Sequence, residues 1–507
     1  MSTAAVTNGI EHVDVLIVGA GISGIAAAHS LSTQHANKTF AILEARGASG
    51  GTWDLFRYPG IRSDSDLHTF SYEFKPWRNE KAIARAPEIL DYLRETATEN
   101  GIDSKIRLHH KVCGASWSST DGRWLVEVER TDTGEQLTIS CGWLFSAGGY
   151  YRYDQGFTPQ FEGRERFQGQ IVHPQHWPED LDYRGKRVVV IGSGATAVTL
   201  IPALAATAAH VTMLQRSPSY VLSVPSRDKI ANSLPALVGT KRAYAITRRK
   251  NIARQRSIFR FCRAYPRTAR WLIRQHIAKQ LPAGYPVNEH FNPPYNPWEQ
   301  RLCVVPDGDL FKAIRDGNAS VVTDRVDTFT ERGIRLESGR EIEADIIVTA
   351  TGLNLQAFGG ITLAVDDAAV NLSDKVTFRG FMLDGVPNFA FAFGSTNLSW
   401  TLKVGLVGEH FCRLLTHMDT HGHAVCYPAL DNPHMVTRPF VESSAGYVQR
   451  SIQQFPRQGA DGPWQISNDH SANVKTFRHG PVADENLLFG STLGSSPMGI
   501  VAAGVTA

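Results

Sequence analysis

The chain has 507 residues, and single hydrophobic cores rarely extend beyond about 250–300 residues, so we expect two or more domains. Its net charge of only +3 argues against a dedicated nucleic-acid-binding protein, and its apolar and charged fractions are those of a globular protein. The six cysteines are scattered without a C-x-x-C pair, which disfavours a zinc site or a disulfide framework and indicates a reducing compartment, hence a cytoplasmic protein.

The first residues lack a basic region followed by an apolar run, so no signal peptide is expected. No stretch approaches the ~18 uninterrupted apolar residues of a membrane-spanning helix.

The first predicted elements are a strand, a tight glycine turn and a helix. Residues 13–18 form a short β-branched run, and Gly19, Gly21 and Gly24 follow with G-x-G-x-x-G spacing before an alanine-rich segment. Gly19 permits the turn, Gly21 lets the backbone approach a pyrophosphate, and Gly24 lets the helix pack closely on the strand. The next strand ends at Glu44, whose carboxylate can accept hydrogen bonds from ribose hydroxyls. The unit therefore predicts a dinucleotide site at a helix N-terminus.

A second unit of the same design follows about 170 residues later, where residues 188–191 lead into Gly192, Gly194 and Ala197. Its second strand ends in Gln215 and Arg216 instead of an acid. Arginine suits the 2′-phosphate of NADP. Two such units with different ribose-end residues indicate a flavin enzyme that binds FAD at the first loop and is reduced by NADPH bound at the second.

Residues 144–151 ("LFSAGGYY") and 346–354 ("IIVTATGLN") each have the pattern of a strand that ends in small residues. We interpret these two segments as the crossings between domains. We therefore predict an α/β fold with two Rossmann-like dinucleotide-binding domains. The FAD domain is discontinuous, covering 1–150 and 355–507, and the NADPH domain at 160–350 is inserted between its two parts.

No acidic residue lies between Asp228 and Glu289, whereas lysines and arginines are frequent there. Apolar side chains are interleaved with them, namely Phe259, Phe261, Trp271, Leu272 and Ile273. We predict a basic helical insertion at 225–300, within the NADPH domain, that covers the active site. A solvated basic face explains the composition, and peripheral attachment to anionic lipid is the alternative hypothesis.

Two histidine-rich stretches raise the question of a metal. In "FQGQIVHPQHWP" (167–178), His173 and His176 have no acidic or cysteine partner at ligand spacing, so a metal site is disfavoured, and a catalytic pair or a connector remains open. In "THMDTHGH", His417, His421 and His423 flank Gly422, the pattern of a helix C-terminus that favours histidines. We therefore expect no metal site.

Two stretches carry a family resemblance. "GGTWDLFRYPGIRSDSD" (50–66) and "FQGQIVHPQHWP" resemble the two fingerprints of Baeyer–Villiger monooxygenases, which are class B flavoprotein monooxygenases. The second stretch matches through Phe167, Gly169, His173, Trp177 and Pro178. "VTMLQRSPSY", "YNPWEQRLCVVPDGDLF" and "TATGLNLQ" resemble the ethionamide-activating subgroup of that family. The likeness spans nearly the whole chain and weakens at the tail, "GSSPMGIVAAGVTA".

The resemblance implies roles for individual residues. It implies that the fingerprint at 167–178 acts as a hinge, in which His173 affects domain motion and nicotinamide position. The residues implied to contact FAD are Ser23, Glu44, Thr52, Trp53, Asp54, Leu55, Asp64 and Val112. The residues implied to approach NADP are Arg62, Ser63, Asp64, Gly192, Ser193, Gly194, Ala195, Thr196, Ala197, Gln215 and Arg216.

Arg301, in "WEQRLCVV", matches the active-site arginine of the family, and the resemblance implies that Asp64 holds it in place. The implied reaction adds O2 at C4a of the reduced flavin, and the resulting peroxyflavin attacks a ketone to give an ester or lactone. A fixed cation stabilises the negative charge on this path, and an arginine does not give up its proton. Cys303 has no nearby base in the sequence, so a structural role is expected. Trp400, in "FGSTNLSWTLK", lines the substrate pocket or is a plain core residue.

Other functions remain open at this point. The same flavin chemistry oxidises sulfur or nitrogen, so a thioether is an alternative substrate to a ketone. A flavin reductase or disulfide oxidoreductase is disfavoured because no cysteine pair lies near a flavin loop. A purely binding or structural role is the weakest alternative. The expected partners are a small-molecule ketone or thioether and O2, without nucleic acid.

Overall fold

Two β-sheets organise the fold, and each contains one of the glycine units. The computed structural model describes residues 5–7 and 9–491. The larger sheet has twelve strands, and its main path runs in the order Ala368–Ala369, Thr362–Val365, His110–Ser118, Arg123–Arg130, Gln136–Ser146, Ile10–Val18, Phe40–Leu43 and Ile106–Arg107. Its remaining strands are Ala5–Thr7, Thr377–Phe378, Met382–Leu383 and Phe389–Phe391.

The smaller sheet has five parallel strands. Their order is Ala319–Thr323, His210–Gln215, Arg187–Ile191, Ile346–Thr349 and Gln170–Val172. Short sheets pair Val221–Val224 with Cys303–Pro306, Val425–Pro428 with Leu487–Gly490, and Thr437–Pro439 with Arg457–Gly459; Val326–Thr330, Gly333–Leu336 and Glu341–Glu343 form a three-stranded sheet.

The helices lie around these sheets. They are Ile22–Gln34, Thr52–Leu55, Leu67–Phe70, Ala86–Glu99, Ala195–Leu204, Lys229–Val238, Thr240–Ala264, Pro266–Ala278, Val287–His290, Asp309–Arg315, Thr401–His421, Gly446–Gln449 and His470–Asn473. A π-helical turn covers Val474–His479. Among the described residues, no helix combines the length and the apolarity needed to span a bilayer.

The first glycine unit sits at the centre of the larger sheet. Strand Ile10–Val18 lies parallel to both neighbours, Gln136–Ser146 and Phe40–Leu43, and its residues 15–17 are completely buried. Helix Ile22–Gln34 follows and packs against Thr401–His421. A Cβ added at Gly24 would lie 1.9 Å from the carbonyl oxygen of Gly19, so only glycine allows this close packing of helix on strand.

The second unit repeats this arrangement in the smaller sheet, where strand Arg187–Ile191 leads into helix Ala195–Leu204. All strands of the smaller sheet lie within 160–350, and all strands of the larger sheet lie outside it. The predicted fold class is confirmed. We keep the predicted domain boundaries as a proposal; the tail at 492–507, including "GSSPMGIVAAGVTA", lies outside the described residues.

The basic segment forms four helices between Lys229 and His290. Helix Thr240–Ala264 packs against Leu67–Phe70, which belongs to the part of the chain that carries the first glycine unit. The histidine stretch lies where helix Thr401–His421 ends at Gly422, with φ 68°. His417, His421 and His423 are therefore placed at a helix C-terminus, and within the described residues no group of three His, Cys, Asp or Glu side chains is arranged to hold a metal.

Candidate active site

One large cavity of about 1410 Å³ connects the two glycine units. Its walls include Gly19 and Gly21 from the first loop and Gly192 and Gly194 from the second. Both loops lie at the carboxyl ends of their sheets' parallel strands, which is where ligands bind in α/β folds. A single cavity therefore has room for two dinucleotides that meet each other.

The first loop has the geometry of a pyrophosphate cradle. Gly19 adopts φ +99°, and a Cβ there would lie 2.8 Å from the carbonyl oxygen of Ala147. Gly21 caps helix Ile22–Gln34 without a side-chain hydrogen bond, so the first N–H groups of the helix are not capped by a side chain. These donors and the helix dipole favour an anion. The loop thus fits the diphosphate of FAD.

Glu44 lies beside this cradle and is 5% exposed. One carboxylate oxygen accepts a hydrogen bond from the backbone N–H of Ala20 at 2.9 Å, and the other accepts one from that of Arg46 at 3.1 Å. Burial raises the pKa of Glu44, and these amides oppose the shift. Each oxygen keeps a second lone pair, with which it can accept a hydrogen bond from a ribose hydroxyl.

Four other residues implied to contact FAD border the cavity: Ser23, Thr52, Trp53 and Val112. Asp54 and Leu55 do not border it, and the implied contact of these two residues with FAD stays a prediction. Asp54 is 2% exposed and its carboxylate pairs with Arg46 at 2.8 Å and Arg94 at 2.9 Å. The reason is local, since a short helix at 52–55 turns Thr52 and Trp53 toward the cavity and Asp54 toward the arginines.

The second loop is more open than the first. Gly192 adopts φ +134°, and a Cβ there would lie 2.3 Å from the carbonyl oxygen of Ala350. Gly194 caps helix Ala195–Leu204, and a Cβ there would meet no atom within 4 Å. Ser193, Ala195 and Thr196 also border the cavity, whereas Ala197 is completely buried, where helix and strand pack closely.

The two residues at the end of the second strand differ in role. Gln215 is 1% exposed, and its amide nitrogen donates to the carbonyl of His290 and the hydroxyl of Thr323, both at 2.8 Å. Gln215 thus joins the insertion to the sheet. Arg216 is exposed on the cavity wall and forms no ion pair with any described residue. This guanidinium is therefore available to a phosphate.

Arg301 and Asp64 meet in the cavity. The Nε and Nη2 atoms of Arg301 donate to the two carboxylate oxygens of Asp64 at 2.6 and 2.7 Å, a bidentate pair. The Asp64 carboxylate raises the pKa of Arg301 further above its already high value, so the guanidinium stays charged. Arg62 and Ser63 also border the cavity, and Arg62 is held by an ion pair with Asp309.

Aromatic side chains surround this ion pair, and the sequence analysis missed most of them. Burial raises the pKa of Tyr150, Tyr151 and Tyr447, whose hydroxyls therefore stay neutral beside Arg301. The Trp400 ring stacks on Tyr150 at 5.3 Å, and its Nε1 donates to the Ser23 hydroxyl at 2.9 Å. Trp400 thus lines the cavity while packing against its wall. Tyr150 and Tyr151 could have been predicted as cavity residues, because they stand together at the end of the predicted crossing at 144–151.

The thiol of Cys303 is not poised as a nucleophile. Burial raises its pKa to about 12, so the thiol stays protonated.

The fingerprint residues do not border the cavity, and His173 contacts the predicted crossing at 346–354. His173 accepts a hydrogen bond at Nδ1 from the N–H of Gln175, and its Nε2 lies 3.2 Å from the carbonyl oxygen of Gly352. Burial lowers the pKa of His173, which favours a neutral ring. The ring of Phe167 packs on that of Phe329. A Cβ at Gly169 would lie 2.3 Å from the carbonyl oxygen of Asp345, so this position requires glycine. The fingerprint ends with Trp177 and Pro178. The contacts are those of a connector, and the hinge role stays a prediction.

The insertion holds one wall of the cavity in place. Arg248 is 8% exposed, and its Nη1 donates to the carbonyl oxygens of His68 at 3.1 Å and Ser71 at 3.0 Å. Asn251 donates to the carboxylate of Asp66 at 2.9 Å. Because Asp66 follows Asp64 by two residues, the inner face of the insertion positions the segment that carries the carboxylate partner of Arg301.

Known proteins are similar in sequence to this chain. Residues 81–372 match the family model described as flavin-binding monooxygenase-like, and residues 17–80 match an NAD(P)-binding Rossmann-like domain. The chain is 50% identical over 491 residues to the FAD-containing monooxygenase EthA of Mycobacterium tuberculosis (strain ATCC 25618 / H37Rv), covering 97% of this chain and 100% of the relative. It is 46% identical over 481 residues to the probable FAD-binding monooxygenase AlmA of Acinetobacter sp, covering 94% and 96%.

Solved structures share the fold. An oxidized steroid monooxygenase bound to NADP matches with a TM-score of 0.74 at 23% identity, over 95% of this chain and 100% of that chain. An open crystal structure of cyclohexanone monooxygenase matches with a TM-score of 0.71 at 21% identity, over 82% and 90%. The resemblance inferred from the sequence and the assignment as a flavin monooxygenase are confirmed. The chain belongs to the flavin-binding monooxygenase-like family.

Proposed function

We propose that this chain is an FAD- and NADPH-dependent Baeyer–Villiger monooxygenase that inserts one oxygen atom of O2 beside the carbonyl of a ketone, giving an ester or lactone. The observation that carries the proposal is the Arg301–Asp64 pair, which lies in the cavity that both glycine loops share.

The residues of the two loops fit the two cofactors. Gly21 and the uncapped helix start behind it would hold the diphosphate of FAD, with Glu44 at the ribose. Gly194 and the exposed Arg216 would hold NADPH. When bound, NADPH would supply a hydride, and FAD with O2 would supply an activated oxygen atom.

Arg301 places a permanent positive charge where negative charge develops on the substrate oxygen. Asp64 raises the pKa of this guanidinium, so it stabilises an oxyanion without protonating it. Asp64 also fixes its orientation through two hydrogen bonds. Trp400, Tyr150 and Tyr447 line the cavity that holds the pair, and the Trp400 ring stacks on that of Tyr150.

The test is product analysis with linear, cyclic and aryl ketones and one thioether, each incubated with NADPH and air. We expect an ester or lactone from at least one ketone, with one oxygen atom from ¹⁸O₂ retained in the product. Reactions without NADPH and reactions under argon are the controls. A sulfoxide from the thioether, without ester from any ketone, would replace the proposal with a heteroatom oxygenase. That reaction creates no carbonyl oxyanion and does not need the Arg301 charge.

A further inference from the structure

The charge of this protein is concentrated in the insertion. Fourteen lysines and arginines and no acidic residue lie between Asp228 and Glu289. These fourteen exceed the net charge of the whole chain, +3, so the rest of the chain is net negative. Only a few of the cations are neutralised, for example Lys250 by Asp228 and Arg256 by Asp469. The exposed ones that form no ion pair with any described residue include Lys241, Arg242, Arg249, Arg254, Arg263 and Arg267.

The exposed apolar side chains are concentrated in the same segment. Of the twelve large apolar side chains that are exposed in the described part of the chain, nine lie between residues 230 and 272. Trp271 is 52% exposed, Leu272 45%, Ile246 46% and Leu237 79%. Scattered single exposures are ordinary on any protein, but a concentration of this kind marks an interaction surface.

Cations and apolar side chains share one side of each helix. In Thr240–Ala264, the exposed residues Arg242, Ile246 and Arg249 follow one another at spacings of four and three, which places them on one helix face. In Pro266–Ala278, Arg267 and Trp271 are spaced by four, with Leu272 adjacent. We call these six residues the cationic-apolar face.

The opposite sides of both helices are fixed to the protein. In Thr240–Ala264, Arg248 and Asn251 form hydrogen bonds with the segment at 66–71. In Pro266–Ala278, Ile273 and Ile277 are buried in the hydrophobic core that also contains helix Ala195–Leu204. The cationic-apolar face therefore consists of exposed residues on two helices that are held in place by their other sides.

We propose that the cationic-apolar face binds the surface of a membrane that contains anionic lipid, with Trp271 and Leu272 inserted at the headgroup boundary and the arginines at lipid phosphates. Amphipathic helices with cations on the polar side and Trp or Leu on the apolar side lie in this way on bilayers. A duplex nucleic acid would use the cations but gives no apolar surface to Ile246 and Leu272. A symmetric contact with a second copy would bring two unneutralised cationic faces together.

The test is co-sedimentation of the full-length, flavin-loaded protein with vesicles of phosphatidylcholine alone or mixed with phosphatidylglycerol, at low and high salt. We expect binding to the phosphatidylglycerol vesicles at low salt and none to phosphatidylcholine alone. Each cation near an anionic surface strengthens the binding of a protein to vesicles about fivefold. The double variant Arg242→Glu with Arg249→Glu should therefore bind phosphatidylglycerol vesicles at least about 20-fold more weakly. Trp271→Ala with Leu272→Ala should also weaken binding, at unchanged charge.

The matched control reverses two exposed arginines elsewhere, Arg332→Glu with Arg340→Glu, in the two turns that connect the strands of the three-stranded sheet. It removes the same net charge and should leave vesicle binding intact. NADPH oxidation, flavin content and circular dichroism should be unchanged in all three variants, and Arg242→Gln with Arg249→Gln replaces the reversal if it fails to fold.

Four results would overturn the proposal. They are absence of binding to phosphatidylglycerol vesicles, an equal loss in the control variant, and full binding by the variant that lacks Trp271 and Leu272. The fourth is an oligomer in velocity sedimentation that the charge reversal converts to a monomer, which would assign the face to a second copy. None of these depends on whether the enzyme makes an ester or a sulfoxide.

Discussion

At the scale of single residues, Arg301 and Asp64 separate the two halves of the proposed reaction. The guanidinium lies in the cavity that both glycine loops border, and Asp64 supplies both of its hydrogen-bond acceptors. Transfer of a hydride to the flavin needs the nicotinamide in position, whereas oxygen insertion needs a cation near the developing oxyanion. Variants of this pair should therefore affect the second half-reaction more than the first.

Arg301→Ala should retain FAD and still be reduced by NADPH, but it should make ester at least about 10²-fold more slowly and release hydrogen peroxide. Asp64→Ala should show a smaller loss, because the cation is still present but loses its orientation. Anaerobic stopped-flow reduction and ester yield by gas chromatography are measured on the same preparations. Ester formation by Arg301→Ala at the wild-type rate would show that the oxygenating centre lies elsewhere.

Arg216 should determine the preference for NADPH over NADH, since it is exposed on the cavity wall and unpaired among the described residues. A charge-assisted hydrogen bond contributes roughly 1.5–3 kcal/mol, so the wild type should prefer NADPH at least ~10-fold. Arg216→Ala should erase most of this preference by raising the KM for NADPH. Arg184→Ala, an exposed arginine paired with Asp182, serves as the control. Equal use of both nucleotides by the wild type would refute the assignment of the second loop.

At the scale of elements, the two glycine units place their helix starts on one cavity, and their glycines have distinct duties. A Cβ at Gly21 would meet only Gly51, at an ordinary 3.5 Å, so the protein itself tolerates a side chain there. A Cβ at Gly24 would lie 1.9 Å from the carbonyl oxygen of Gly19. We therefore expect that glycine is required at position 21 by the bound cofactor and at position 24 by the packing of the helix on the strand.

Gly21→Val should fold and bind no FAD, because its side chain takes the place of the diphosphate. Gly24→Ala should instead lower the thermal midpoint of the flavin-free protein, since the helix must move off the strand. Flavin absorbance of the purified proteins and their circular dichroism melts distinguish the two effects. A full complement of flavin in Gly21→Val would mean that the first loop is misassigned.

At the scale of the whole molecule, helix Thr401–His421 joins the first glycine unit to the C-terminal part of the described chain. His410 on this helix is 1% exposed, and its Nδ1 lies 3.0 Å from the carbonyl oxygen of Phe477. Burial, together with the nearby Arg379 charge, lowers the pKa of His410 to about 3. Folding thus keeps this ring neutral in the middle of the core.

The free energy of unfolding should therefore fall as the pH drops below about 6.5, the ordinary histidine pKa, because the unfolded chain then takes up a proton that the folded chain excludes. The contribution is fully present above that pH and is lost progressively towards pH 3. Urea unfolding of wild type and His410→Gln across this range measures it, with the exposed His479→Gln as the control. An unchanged slope in His410→Gln would assign the effect to another group.

The features that the sequence determined by itself are local ones. The two glycine units and the residues at their strand ends depend on spacings within about thirty residues, and short-range periodicity and turn chemistry specify such units. The basic insertion is visible in the composition of one continuous segment. The structure retains them with small changes of boundary, such as a first strand at Ile10–Val18 instead of 13–18.

The composition of the active site was decided by tertiary structure. Arg301 and Asp64 are 237 residues apart, and they meet because the insertion packs on the segment that carries Asp64. Asp54 was expected to contact the flavin, but a short helix turns its buried carboxylate to Arg46 and Arg94. The amide nitrogen of Gln215 likewise donates its hydrogen bonds inside the fold. The spacing of residues in the sequence cannot predict whether a side chain faces the cavity or the protein interior, because that depends on contacts with residues far away in the chain.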